Sequence, residues 1–251
     1  MKIIMPFFIL LFSIAGYSQV IQGEIIYETK VDLHRNIPDE MSGMKDRIPP
    51  YRTNKQILLF NQEESMFKEY KDPKDAEQAP PPGNRRGFRF RNNNSQNELY
   101  RDLKAGTSIN SQEFFGKKFL INGETTDLKW KMTGQTKQVG DYFCQKATFQ
   151  DSMQNIVVWF SPMIPVTAGP NNYGGLPGMI LYVNINDGER IITAVEINQK
   201  EITAGTIEKP TEGKEITKEE FEKIREEKMK EMQEEFGGDG QRRRFFRNGG
   251  E

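Results

Sequence analysis

One histidine and one cysteine in 251 residues set a low ceiling on the chemistry this chain can do. His34 has no second histidine with which to share a metal ion or build a relay. A serine hydrolase would need His34 beside a serine, and neither a Gly-x-Ser-x-Gly turn nor a phosphate-binding loop is present. Cys144 stands in an apolar, alternating stretch, with Lys146 two residues on and therefore on the same face of a strand. In one reading the ammonium favours a nucleophilic thiolate. In the plainer reading Cys144 is a small buried hydrophobe, as free cysteines usually are. A lone cysteine can form no internal disulfide and no exchange cycle. Met41-x-x-Met44 and Met229-x-x-Met232 offer soft sulfur of the kind Cu(I) accepts. The two pairs are far apart, and thioethers fill cores equally well. No cofactor or metal is implied.

The most unusual residues are arginines interleaved with phenylalanine. Arg85, Arg86, Arg89 and Arg91 surround Phe88 and Phe90; Arg242, Arg243, Arg244 and Arg247 surround Phe245 and Phe246. Arginine grips phosphate or carboxylate through two parallel bonds, and phenylalanine inserts into a lipid surface or stacks. Candidate partners are an anionic lipid surface, an acidic envelope protein, or the chain's own acidic segment 219–235. A solvated appendage with no defined partner is the bland alternative. The balance of 35 Lys and Arg against 36 Asp and Glu argues against a chain that coats nucleic acid.

The segments that must position these groups begin with a targeting signal. Lys2, the apolar run Ile3 to Ala15 and the small residues Gly16 and Ser18 predict a signal peptide over 1–18, cleaved before Gln19. The run is short for a membrane-spanning helix, and Cys144 lies too far from the cleavage site to carry a lipid. The expectation is a soluble exported protein, periplasmic or secreted, with no transmembrane anchor after cleavage. Export makes nucleic acid a remote partner.

From Gln19 to residue 216 the pattern predicts one β domain. Gln22–Val31 alternates as a strand, and Asp39–Tyr51 reads as a loop with one helical turn. Thr53–Asn61 and Ser65–Tyr70 read as a hairpin. Residues 71–97, with Pro80-Pro81-Pro82-Gly83 and the first arginine cluster, read as a mobile insert that cannot bury enough apolar surface to offset its ordering entropy. Strand candidates resume at Leu99–Lys104, Ser108–Phe115 and Lys117–Ile121. Asn122-Gly123 predicts a two-residue hairpin turn into a strand at Asp127–Met132, with Gly134–Asp141 as a polar connection. Tyr142–Gln150 and Asn155–Phe160 follow as strands. Asn184 to Gly188 faintly suggests a calcium loop, but it lacks the spaced carboxylates and reads better as a hairpin turn before the strand Arg190–Asn198.

Gly169-Pro170-Asn171-Asn172-Tyr173-Gly174-Gly175-Leu176-Pro177-Gly178 organises this half. Glycine and proline make a rigid bend, and the apolar run Met179–Ile185 that follows reads as a strand buried on both faces. Gly175, Leu176, Pro177 and Gly178 are expected to act as architecture. The rival is an exposed turn that docks on a partner through Tyr173 and Leu176. Thr217 with Glu220 forms a capping box for a charged amphipathic helix, 217–236. Its apolar side carries Phe221, Ile224, Met229, Met232 and Phe236, and it ends in an Arg/Phe/Gly tail at 237–251. The helix fits a thin stripe packed on the sheet, or else a partner-binding face.

Several of these blocks resemble the GLPGLI family, secreted proteins of Bacteroidota without an assigned activity. The residues that carry the likeness are the Trp130 region, Gln138 to Thr148, Val158 to Pro162, Ile164-Pro165-Val166, Gly169-Pro170 and Gly175-Leu176-Pro177-Gly178-Met179-Ile180. Met179 replaces the leucine of the family motif. The likeness spans about half the chain and leaves out both arginine clusters. The likeness implies a link to outer-membrane transport machinery.

The whole predicts a mainly β protein of about a dozen strands. They would form a curved antiparallel sheet or open barrel, with one C-terminal amphipathic helix. The expected function is a non-enzymatic binding or accessory protein of the bacterial envelope, carrying an apolar ligand in one version. The alternative is a periplasmic enzyme using surface carboxylates or Cys144. A closed apolar cavity would favour a carrier, and a cleft of convergent polar groups would favour catalysis.

Overall fold

The structure, a computed structural model, describes residues 21–35, 37–71, 97–125 and 128–237. Among these residues it is mainly β: twelve strands form one open sheet, with a single α-helix towards the C-terminal end. The amino-terminal half contributes β1 (Gly23–Asp32), β2 (Tyr51–Phe60), β3 (Glu64–Glu69), β4 (Glu98–Asp102), β5 (Thr107–Phe114) and β6 (Lys117–Glu124). A 3-10 helix at Asp39–Arg47 fills the β1–β2 connection. The other half contributes β7 (Lys131–Val139), β8 (Tyr142–Gln150), β9 (Asn155–Ser161), β10 (Met179–Ile185), β11 (Arg190–Gln199), β12 (Lys214–Thr217) and helix α1 (Lys218–Gly237).

The order across the sheet is β12-β6-β5-β4-β3-β2-β1-β11-β10-β9-β8-β7. Two meanders are thus joined at the β1–β11 pair, which brings the chain's first strand beside a late one. All pairs are antiparallel except β6–β12. Helix α1 starts where β12 ends. The Glu220 amide donates to Thr217 Oγ1 at 3.2 Å, and the Thr217 amide donates to Glu220 Oε2 at 2.9 Å, which is the expected capping box. Phe221 packs edge-on against Phe114 and Phe119, so only the first turns of α1 are anchored in an apolar cluster. Met229, by contrast, is exposed.

The main core lies on the face of Ile25, Tyr27, Leu58, Phe60 and Phe67 and continues across β8 to β11. Its cover is the long segment between β9 and β10, whose Ile164, Val166, Ala168 and Leu176 are buried. Strand β10 is buried on both faces at its start, with Met179, Ile180 and Leu181 all inaccessible, as its apolar run predicts. A smaller cluster on the reverse side joins Leu59 and Met66 to Ile207.

Three local expectations are corrected. Asn122-Gly123 is no hairpin turn. Strand β6 runs through both residues, Asn122 opposite Ile109 and Thr217, Gly123 opposite Ser108. Neighbours on both sides override the local turn preference. Asp127–Met132 is not a strand, since Leu128 to Trp130 have no strand structure and β7 begins only at Lys131. Gly134–Asp141, read as a connection, is mostly strand β7, with the turn reduced to Gly140-Asp141. Strand β7 is a sheet edge exposed along most of its length. Its composition therefore lacks the alternation that marks a half-buried strand.

The Gly175–Gly178 turn closes against the end of β9 and the start of β10. Gly178 has φ +153°, and a Cβ there would lie 2.3 Å from the Ser161 carbonyl oxygen. Its amide donates to the Leu176 carbonyl at 2.7 Å, and the next amide, of Met179, donates to Ile164. Leu176 is buried while Pro177 is exposed. Gly178→Ala is therefore expected to destabilise the fold by more than the ~1 kcal/mol of a compatible glycine exchange. Pro177→Ala should change stability by less. Urea unfolding of the two variants beside the parent measures the difference.

Candidate functional site

The chain between β9 and β10 is held to the sheet by one buried cation. Arg101, on β4, is 2 % exposed. Its guanidinium donates to the carbonyls of Gly169 at 2.6 Å and Tyr173 at 2.9 Å. Burial pushes its pKa down to about 10, so it stays charged at neutral pH. Two further bonds complete the attachment, and another holds the adjoining start of β10. Trp130 Nε1 donates to Gly174 O, the Tyr27 hydroxyl donates to Ile180 O, and the Ile180 amide donates to Ala168 O. Two glycines make the approach possible. A Cβ on Gly169 would meet Ile180 Cβ at 2.8 Å, and one on Gly174 would meet the Thr167 carbonyl oxygen at 3.0 Å and an Arg101 nitrogen at 3.2 Å.

This anchored segment covers only part of the sheet face. Beside it lies a groove of about 870 Å³. One wall is the tip Asn171–Tyr173, the opposite wall is the first two turns of α1, and the floor is formed by β2 to β6. Register explains the floor's character. Leu58, Phe67, Leu99, Asn110, Ile121 and Ile216 stand directly opposite one another on successive strands. Asn110 is the polar member of an otherwise apolar row. Ser108 and Gln112 flank it on the same face of β5, and Asn54 and Gln56 point the same way from β2. Gln56 accepts a hydrogen bond from Thr29 Oγ1 at 2.6 Å. Among the described residues the amides of Asn54, Asn110 and Gln112 have no side-chain or backbone partner. The charged lining is balanced: Lys68, Arg190, Lys218 and Arg225 against Glu69, Glu124, Glu219 and Glu222. Arg225 and Glu222 pair at 2.7 Å. A smaller recess of about 350 Å³ adjoins the groove, sharing Lys68, Glu69 and Asn97 and adding Lys71.

The residues singled out by type are scattered. Tyr173 lines the groove and packs partly on the core, whereas Leu176 is inside the core. Arg85, Arg86, Arg89, Arg91, Arg242, Arg243, Arg244 and Arg247 lie outside the described residues, as do 1–18. His34 closes a loop, its Nε2 2.7 Å from the Ile48 carbonyl oxygen. The Asn184–Gly188 turn spends its side-chain oxygens on backbone: Asn186 Oδ1 accepts from the Asn155 amide and Asn184 Oδ1 from the Gly188 amide. Among the described residues no cluster of three His, Cys, Asp or Glu is placed to hold a metal ion. No helix among them is long and apolar enough to cross a membrane.

Cys144 is fully buried, and burial pushes its thiol up to about 11. The nearby cation is Lys137, opposite it on β7, with its ammonium over the Tyr182 ring at 4.1 Å. Lys146, the neighbour expected from spacing, instead donates to Gln135 Oε1 at 2.9 Å.

A family model described as "Protein of unknown function (Porph_ging)" matches residues 149–182, from the end of β8 to β10, and so includes the Gly-Leu-Pro-Gly turn. A search of curated proteins returned no match. Among solved structures, "Structure of PNGF-II in P21 space group" superposes with a TM-score of 0.54 at 14% identity. It covers 82% of this chain and 33% of that one. "Structure of PNGF-II in C2 space group" gives the same TM-score and identity over 81% and 32%. This chain thus spans about a third of that protein, and the likeness is one of fold.

Tyr173 was among the candidates read from the chain; the groove's floor residues were not. Their signal was present but needed the topology. Strand β5 alternates Ser108, Asn110 and Gln112 on one face, and only its place between β4 and β6 reveals that this face is otherwise apolar.

The Cys144 environment predicts a pH profile. The folded thiol stays protonated at neutral pH, and alkylation of the native protein by iodoacetamide should be slow there. The rate should rise only as pH approaches about 11. In urea the profile should move down toward the ~8.5 of a free thiol. Fast labelling of the native protein at pH 7 would contradict the buried, structural role.

Proposed function

We propose that this is an exported, non-catalytic binding or accessory protein of the bacterial envelope, and that its ligand occupies the groove beside the anchored segment. The observation that carries this reading is the groove itself: large, walled on two sides, and floored by side chains that break an apolar row. Its volume lies within the ~300–1,000 Å³ usual for ligand pockets. The polar lining supports a polar occupant over an apolar one. The floor's amides bind and orient ligands without changing protonation, so they contribute no general acid or base. That weighs toward binding and against the enzymatic alternative. The alternative rests on the groove's carboxylates, because the Cys144 thiol is buried and protonated.

The remaining parts of the reading rest on sequence. The segment 1–18 directs export to the periplasm or beyond, and the chain is kin to the GLPGLI proteins, with which the family match at 149–182 is compatible. Association with outer-membrane transport machinery is the role that kinship suggests. The two arginine–phenylalanine clusters attach the protein to an anionic lipid surface or an acidic envelope protein. Tyr173 is a ligand contact in the groove.

Two measurements test this. The exported protein should have the intact mass of a chain beginning at Gln19, and its native mass spectrum should show a retained polar ligand. A full-length, membrane-bound product would sink the export reading, and turnover of a retained substrate would establish the enzyme. Separately, replacing Arg85, Arg86, Arg89, Arg91, Arg242, Arg243, Arg244 and Arg247 by glutamine should abolish salt-sensitive binding to anionic vesicles without altering thermal unfolding. Vesicle binding indifferent to both salt and these substitutions would refute the electrostatic attachment.

A further inference from the structure

We propose that the groove binds a neutral glycan chain; this rests on the reading of the groove as a ligand site and specifies its ligand. The argument begins with what the floor asks of an occupant. Asn54, Asn110 and Gln112 each present a carbonyl acceptor and an NH2 donor, and Ser108 adds a hydroxyl that does both. Such a surface is satisfied by a ligand that also donates and accepts at every position. A sugar chain, with hydroxyls around each ring, has this property. Along β5 these groups recur every ~6.6 Å, and Asn54 on β2 stands three strands away, about 14 Å at ~4.8 Å per strand, so they form an extended row with an outlying contact rather than a point. An extended row fits a repeating ligand.

Other classes fit worse. An apolar ligand would leave the floor's amides desolvated and unpaired, at about 1–3 kcal/mol each. A strongly charged ligand would meet four cationic and four anionic side chains, which offer it no net field. A peptide added as an extra strand needs a free sheet edge. Strands β2 and β5 are each paired on both sides, so the floor offers none.

The apolar residues of the site complete the match. Leu99 and Ile121 flank Asn110 in its row, with Phe67 beyond Leu99, and Tyr173 stands at the wall. A sugar ring carries C–H faces between its hydroxyls. Those faces lie against apolar floor and aromatic wall while the hydroxyls reach the amides. The wall is also preorganised. The Tyr173 carbonyl is fixed by Arg101 and the adjacent Gly174 carbonyl by Trp130, so little ordering entropy is lost when the ligand arrives.

The test uses the full exported chain on an array of neutral and acidic oligosaccharides, followed by calorimetry with the best neutral binder. Neutral oligosaccharides should bind, and binding should persist at about 1 M salt, where the screening length falls to ~3 Å. Asn110→Ala and Gln112→Ala should each weaken it tenfold or more with unfolding unchanged. Gln138→Ala, an exposed amide on the β7 edge, should leave it intact. Preference for acidic oligosaccharides, loss of binding in salt, or indifference to Asn110→Ala overturns the proposal. The two layers separate cleanly. A non-glycan ligand retained by the parent and released by Asn110→Ala preserves the groove as a binding site but refutes the glycan assignment. A retained ligand indifferent to every groove substitution refutes both.

Discussion

Burying a guanidinium without a carboxylate partner is costly, and this protein does so at Arg101. The cost is offset locally by two charge-assisted hydrogen bonds to backbone carbonyls, each worth about 1.5–3 kcal/mol. Both carbonyls belong to the segment between β9 and β10, which has no regular structure of its own. A segment of that kind cannot satisfy its backbone by laddering, and its buried carbonyls need donors from elsewhere. Arg101 supplies two and Trp130 a third, while Tyr27 donates to the Ile180 carbonyl at the adjoining start of β10. These donors come from widely separated parts of the chain. The interaction thus joins the two meanders into one unit, as the β1–β11 pair does through the ladder.

The same attachment decides where the sheet face is dry and where it is open. Under the segment, Tyr27, Phe60, Ile180 and their neighbours form a core without access to water. Beyond its tip at Asn171–Tyr173 the cover ends, and the face turns to amide and hydroxyl on β2 and β5. Helix α1 forms the far wall, held by Phe221 between Phe114 and Phe119. Groove and core are therefore two parts of one face, divided by the reach of an anchored loop.

How much of this was legible in the chain depends on how local each signal is. Strands β8 and β10 could be delimited to the residue because their apolar patterns are read within one strand. The capping box at Thr217 and Glu220 is equally local. Strand β7 was misplaced because an exposed edge has no buried face to write alternation into its sequence. The Asn122-Gly123 turn failed for the opposite reason: β5 and β12 hold those residues in a ladder that no window around them reveals. Arg101 was overlooked since its neighbours in sequence, Tyr100 and Asp102, belong to an ordinary alternating strand. Its role exists only once Gly169 and Tyr173 are folded against it. The groove had the same obstacle, five polar side chains on two strands with nothing in the sequence to bring them together.

That division bears on what the molecule is suited to do. Catalysis draws on groups whose protonation or nucleophilicity the protein has tuned. Three of the displaced groups are fully buried, Tyr27 and the Cys144 thiol pushed up and Arg101 pushed down, each chiefly by desolvation; partial burial also raises Tyr100, beside Glu64, and Tyr173 at the groove wall. Arg101 is engaged in holding the loop, Tyr27 holds the start of β10, and Cys144 lies in the core. These three groups thus serve architecture, while the accessible face carries amides, hydroxyls and balanced charge. In the proposed function such a face selects by hydrogen-bond geometry. A wide sheet suits that task, because cross-strand register holds distant residues in fixed rows, and a single loop tip is enough to turn those rows into one wall of a binding site.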